Sequence, residues 1–208
     1  SGSNTIQDTY VNGDNEVVKS ANYSDASTVD LRTRNGTGVR RALLKFDTGT
    51  GLLATLAKST APTNRLDKRL VRAWLRLSVV NTCWESPSLW TCNQGWVPTT
   101  ATFNTRDGVT PWSEVWATSG NQNVGPLVGT FALQSNPLTG GCGILDITAS
   151  LQAWVDGTNN CGFVLGHWGA DYDNVFALTE YGTAELRPTL IVEYYYIPSP
   201  PGTAFVIR

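Results

Sequence analysis

Few residues in this chain are equipped for catalytic chemistry. Its single histidine, His167, stands in Gly166-His167-Trp168-Gly169, directly after an apolar run. A serine-nucleophile triad would need that histidine as its base, and no Gly-x-Ser-x-Gly elbow accompanies it. His167 therefore reads as a structural or surface residue. Glu85, Glu114, Asp171 and Glu180 are the carboxylates that could in principle approach one another for glycoside hydrolysis. No phosphate-cradling loop or dinucleotide fingerprint is present. The expectation is a protein without catalysis and without a cofactor. Asp171-Tyr172-Asp173-Asn174 reads as an Asx-rich turn, with oxygen ligands that could hold a structural Ca²⁺ as the alternative.

Cysteine chemistry is the other candidate. The four cysteines are Cys83, Cys92, Cys142 and Cys161. No Cys-x2-Cys pair exists, and with one histidine the set does not describe a zinc site. An even count fits a disulfide framework with three connectivities. Cys83–Cys92 and Cys142–Cys161 are preferred, because each closes a short loop between neighbouring strands. Two bridges place the chain in an oxidising, extracellular setting. Asn22-Tyr23-Ser24 and Asn35-Gly36-Thr37 are N-glycosylation sequons.

Aromatic residues could bind without reacting. Trp84, Trp90, Trp96, Trp112 and Trp116 fall within 33 residues. An exposed indole face packs against the C–H groups of a pyranose, and an aromatic body with a polar tip suits a protein interface. Trp90, Trp96, Trp112, Trp116 and Trp168 are therefore the candidate glycan or interface aromatics. The competing reading is that these rings cover the open ends of the fold.

The elements that must position these residues alternate with period two. Strands are expected at Ile6–Val11, Val29–Thr33, Arg41–Phe46, Leu70–Val80, Leu127–Leu133, Gly143–Ile147, Phe163–Gly166, Val175–Leu178 and Leu190–Ile197. In the longest run, Val71, Ala73, Leu75, Leu77 and Val79 face the core. Arg72, Trp74, Arg76 and Ser78 face outward, with Trp74 stacked against Arg72 or Arg76. Short helical turns are expected at Gly51–Ala57 and at Thr148–Val155, the latter with Thr148 as N-cap. Short strands broken by Gly, Asn and Pro turns predict an all-β, jelly-roll-like antiparallel sandwich. Residues 1–197 form one domain. Pro198-Ser199-Pro200-Pro201-Gly202 begins a separate tail, 198–208, ending in a strand-like Thr203–Arg208.

Composition narrows the classes further. The chain has 208 residues, 41% hydrophobic, with a net charge of −2. Abundant aromatics and low net charge exclude intrinsic disorder. No apolar stretch is long enough for a membrane span. Met is absent, so Ser1 is read as following a cleavage point, with a signal peptide removed. Charge is partitioned: residues 32–76 carry +9 and the remainder −11. Eleven of the fifteen cations are Arg, which suits multidentate contacts. These cations are either strand residues facing solvent, some paired with acids elsewhere, or one basic surface that meets an acidic one. Nucleic acid is not expected, because the pI is about 5.3 and no recognition motif appears.

The ordered segments resemble a known family. Asp8-Thr9-Tyr10-Val11, Asn22 to Leu31, Arg41 to Asp47, Val71 to Leu77, Ala101 to Gly108 with Trp112, Asp146-Ile147-Thr148 with Leu151 to Val155, Gly162-Phe163, Glu180, and Arg187 to Val192 occur in the order and spacing of the DNRLRE domain. That family is also described as a disaggregatase-related or carbohydrate-binding-module-type β-sandwich of secreted proteins. The resemblance implies a jelly-roll-like sandwich with a non-catalytic, extracellular role. Residues 83–96 and the tail lie outside its pattern. Two functions follow as expectations. The first is a self-assembling filament or surface subunit, a homopolymer joined head-to-tail. Its contacts would come from Phe205, Val206 and Ile207 of the tail and from Arg72 and Arg76. The second is a carbohydrate-binding module attaching to a polysaccharide.

Overall fold

The computed structural model describes residues 6–32, 38–56, 58, 68–81, 86–114, 116, 121–133, 141–167 and 174–196. Of these residues, 44% are strand and 12% helical. The strands are β1 (Ile6–Asn12), β2 (Thr28–Leu31), β3 (Arg40–Phe46), β4 (Lys68–Ser78), β5 (Ser88–Cys92), β6 (Val124–Thr130), β7 (Cys142–Asp146), β8 (Phe163–Gly166), β9 (Asn174–Ala177) and β10 (Thr189–Tyr196). Helix α1 spans Glu16–Lys19 and α2 spans Thr148–Val155, and short 3-10 turns occupy Leu53–Thr55 and Ala184–Leu186.

The strands form an antiparallel β-sandwich. One sheet has the order β1-β3-β8-β5-β6, a second β10-β4-β7, and the pair β2-β9 links them at one end. Bridges Arg32↔Arg40 and Val79↔Phe176 join that pair to β3 and to the end of β4. The core between the sheets holds Ala42, Leu44, Phe46, Leu89, Phe163 and Leu165 from one layer. Ala73, Leu75 and Leu77 come from the other. Trp154 of α2 closes this core, 4.8 Å from the Phe163 ring. Such ring pairs add about 0.5–1.5 kcal/mol beyond area burial.

The outer face of the five-stranded sheet is covered as well. Leu43, Val164, Val11 and Cys92 point away from the first core into a second one, built with Trp96, Phe103, Trp112 and Trp116. The covering layer is loop rather than sheet. Backbone bonds such as Val97 N to Arg106 O at 2.9 Å and Arg106 N to Thr110 O at 2.9 Å hold its shape. Asn22 fastens the loop to the sandwich, donating from Nδ2 to Pro98 O at 2.8 Å and Ala101 O at 2.7 Å. Glycosylation at Asn22 would leave Nδ2 a single N–H and so remove at least one of these bonds.

Several local expectations are corrected. Val71 is 40% exposed rather than core-facing. The register shifts between Glu193 and Tyr194, so Leu70 takes the inward position beyond that bulge. Thr148 is not the N-cap; Ile147 is, with no side-chain cap bond. Thr148 Oγ1 instead accepts from Ala73 N–H at 2.9 Å and ties α2 to β4. Strand β5 and helix α1 were not expected, yet β5 lies between β8 and β6. Helix α1 starts at Asn15, whose Oδ1 accepts from Val17 N and Val18 N at 3.1 Å.

Removing a central ring of the second core tests whether it is structural. Trp116→Ala should lower unfolding stability by about 3–5 kcal/mol, read from denaturant titration. A cost below about 1 kcal/mol would show that the loop layer contributes little.

Candidate interaction surface

The tryptophans expected to bind ligands are mostly interior. Trp96, Trp112 and Trp116 are buried, and Trp90 packs against the same cluster. Trp96 Nε1 donates to Cys161 O and Trp112 Nε1 to Thr102 O, both at 2.8 Å. The Trp112 and Trp116 rings meet edge-to-face at 4.7 Å. Trp96, Trp112 and Trp116 therefore present no open face to a sugar, and Trp90 is half-buried. Trp168, Asp171 to Asp173, Glu85 and Phe205 to Ile207 lie outside the described residues, as does Cys83. Among the described residues, no group of acids, cysteines and histidines could hold a metal.

The expected disulfides are also corrected. Cys92, Cys142 and Cys161 are free thiols. Cys142 is exposed on the outer face of the three-stranded sheet, whereas Cys161 is buried in the second core, beyond the five-stranded sheet. Face-to-face sheets stand about 10 Å apart, so both layers separate this pair. Short sequence distance was a poor guide because β7 and β8 belong to different sheets.

The open apolar surface lies elsewhere, on the outside of β10-β4-β7. Strand alternation turns Arg72, Trp74 and Arg76 of β4 outward, as their sequence positions predicted. The register sets Glu193 opposite Arg72. Trp74 lies between Ile191 and Asp146, and Arg76 between Thr189 and Ile144. Ile144 is 53% exposed, Ile191 39% and Tyr195 55%. Hydrogen bonds from Thr148 hold the Asp146 carboxyl below the ordinary carboxylate range, so it stays ionised. Arg76 donates to Thr189 Oγ1 at 3.2 Å and to the Glu185 carbonyl. The face thus presents an aromatic ring, aliphatic side chains and both signs of charge.

Hollows lined by described residues adjoin the sandwich. One, of about 220 Å³, opens between β6 and α2 and is lined by Leu127, Val128, Asp146 and Ala149 among others. Another, of about 430 Å³, is polar and lined by Gln7, Lys45, Asp47, Asn159 and Asn160 with Phe46 and Thr48.

Much of the basic segment is already committed within the fold. Arg40 bonds Asp14 and also Asp30, at 3.1 Å, and Arg32 pairs with Asp30 at 2.6 Å. Arg41 is fully buried, its side chain lying over Gly166, where a Cβ would meet Arg41 Cδ at 2.3 Å. Of the carboxylates considered for catalysis, Glu114 accepts from Gln122 N at 3.0 Å. Glu180 lies near Asp8, whose carboxylate accepts from Thr179 N at 2.8 Å and Thr179 Oγ1 at 2.9 Å. A comparison with protein-family models and with curated proteins finds no match to the chain.

Two buried groups give opposed pH responses. Burial pushes the Asp8 carboxyl up to about 6, against the Thr179 hydrogen bonds, with Glu180 adding to the rise. Burial, assisted by Arg41, pushes His167 down to about 4. Asp8 binds its proton more tightly when folded, so its contribution grows as pH falls from about 6 toward 4. His167 resists protonation when folded, so its contribution is lost as pH falls from about 6.5 to 4. Asp8→Asn should therefore make stability fall more steeply on acidification across that window. His167→Gln should make it fall less, or rise. Urea midpoints measured at intervals between pH 4 and pH 7 check both slopes; parallel curves for the two variants would refute the assignment.

Proposed function

We propose that this protein is a non-catalytic extracellular structural subunit that joins copies of itself head-to-tail. The observation that carries this reading is the exposed outer face of β10-β4-β7, bounded by β10. That strand pairs with β4 alone among the described strands and runs directly into the tail. A strand at a sheet edge offers backbone N–H and C=O groups to an arriving chain. The stiff Pro198 to Gly202 segment would lead Thr203 to Arg208 away from its own sheet, with Phe205, Val206 and Ile207 as apolar contacts. Burial of those three side chains roughly offsets the entropy of ordering the tail. Edge hydrogen bonds and charge attraction supply the surplus. Arg72 and Arg76 on one copy can face acidic side chains on a different surface of the next copy, as a head-to-tail contact requires. A head-to-tail contact that does not close into a ring makes a fibre. The resemblance to the DNRLRE domain supports a secreted, non-catalytic role.

Polysaccharide attachment is the second reading, favoured by the polar hollow around Lys45, Asp47 and Asn160. Its amides and charged groups suit sugar hydroxyls, while the burial of the tryptophans argues against a stacking platform.

Deleting residues 198–208 should abolish polymers seen by negative-stain microscopy and leave a folded monomer by circular dichroism. Combined Arg72→Glu and Arg76→Glu should reduce polymer yield at least tenfold at low salt. An intact chain that stays monomeric, or a truncated one that still polymerises, would sink the proposal. Retention on an insoluble polysaccharide that is lost in Lys45→Ala would favour the second reading instead.

A further inference from the structure

Of the two buried thiols of the second core, Cys92 ends β5 and Cys161 lies two residues before the neighbouring strand β8. The β5–β8 ladder pairs Trp90 with Val164 and Thr91 with Phe163, so its next step sets Cys92 against Gly162. Cys92 N–H donates to Gly162 O at 2.8 Å, which continues the ladder through that step. Gly162 has φ +78°, and a Cβ there would meet Leu44 O at 2.4 Å. This left-handed residue interrupts strand alternation, so Cys161 enters the cluster that holds Cys92, Trp96 and Val164. Trp96 Nε1 pins the Cys161 carbonyl at 2.8 Å. The paired Cα atoms, about 5.5 Å apart in an antiparallel ladder, are those of Cys92 and Gly162; Cys161 is the next residue, with its thiol in the same buried cluster as that of Cys92. The thiols now rest on weak partners: Cys92 Sγ donates to Gln94 O, and Asn159 Nδ2 donates to Cys161 Sγ, each at 3.3 Å.

We propose that Cys92 and Cys161, free thiols in this structure, close to a disulfide within the second core as the chain folds. The oxidant is a small-molecule disulfide. One cysteine thiolate attacks it, forming a mixed disulfide and releasing one small thiol. The other cysteine then attacks the protein sulfur of that mixed disulfide, forming the Sγ–Sγ bond and releasing the second small thiol. Two protein thiols are oxidised and one small disulfide is reduced. Burial pushes the Cys92 thiol up to about 12 and raises Cys161 also, so neither forms a thiolate readily once folded. Closure therefore belongs to folding, before the tryptophan layer seals. The bond would fasten β5 to the start of β8 and close the long loop carrying Trp112 and Trp116.

The test is refolding of the full chain from the reduced, unfolded state in oxidised and reduced glutathione, followed by thiol blocking and non-reducing peptide mapping. Trypsin is unsuitable, because Lys and Arg are absent between Cys83 and Cys92 and between Cys142 and Cys161. Chymotrypsin can cut at Leu89 or Trp90 and at Leu151 or Trp154, and so separates all four cysteines. The expected result is a linked peptide containing Cys92 and Cys161, present in the intact sequence and in Cys142→Ser. Reduction should lower Tm by roughly 10 °C. Cys92 linked to Cys83, Cys161 linked to Cys142, or Cys92 and Cys161 both blocked as thiols would overturn the proposal.

Discussion

The arrangement depends on one constraint: the middle of the five-stranded sheet is apolar on both faces. Strand β3 buries Arg41, Ala42, Leu43 and Leu44 in succession, and β8 buries all four of its residues. Such strands have no polar side to give to water, so each face needs a cover. The three-stranded sheet covers one. The loop layer carrying Trp96, Phe103, Trp112 and Trp116 covers the other. Large rings suit that task because a loop supplies few side chains per unit area, and each indole buries much surface while its N–H reaches a carbonyl.

That use of the tryptophans determines what the surface retains. Several exposed apolar residues lie on the opposite side of the molecule, where β10-β4-β7 lacks a comparable cover among the described residues. Trp74, Ile144, Ile191 and Tyr195 stand there among Arg72, Arg76, Asp146 and Glu193. The two sheets therefore differ in kind, one enclosed on both faces and the other enclosed on one.

Polar side chains hold the covers in place at a few long-range points. Asp8 anchors β1 to the turn after β9 through Thr179, and Thr148 anchors α2 to β4 through Ala73. Asn22 anchors the tryptophan loop. Asn160 Nδ2 donates to Phe46 O at 2.7 Å, holding the approach to β8 against the end of β3. Buried polar groups cost free energy unless satisfied, so such pairs specify which segments meet.

The all-β class, most strand positions and the helical turn at Thr148 to Val155 were legible in the sequence. Alternation along Ala73, Leu75 and Leu77 follows from the strand period and needs no partner to be seen. The outward placement of Arg72, Trp74 and Arg76 was legible for the same reason. Three features were not. The second core joins β3 and β8 to a loop some 50 residues from either, and periodicity carries no information about a cover that is not itself periodic. Val71 turned outward because a bulge between two distant strands shifted the register. Nearness along the chain pairs Cys92 with Cys83, whereas strand order sets Cys92 against Gly162, the residue after Cys161. Local alternation is written in each segment, but which segments become neighbours is decided only when the sheets assemble, because that choice minimises exposed apolar area over the whole chain.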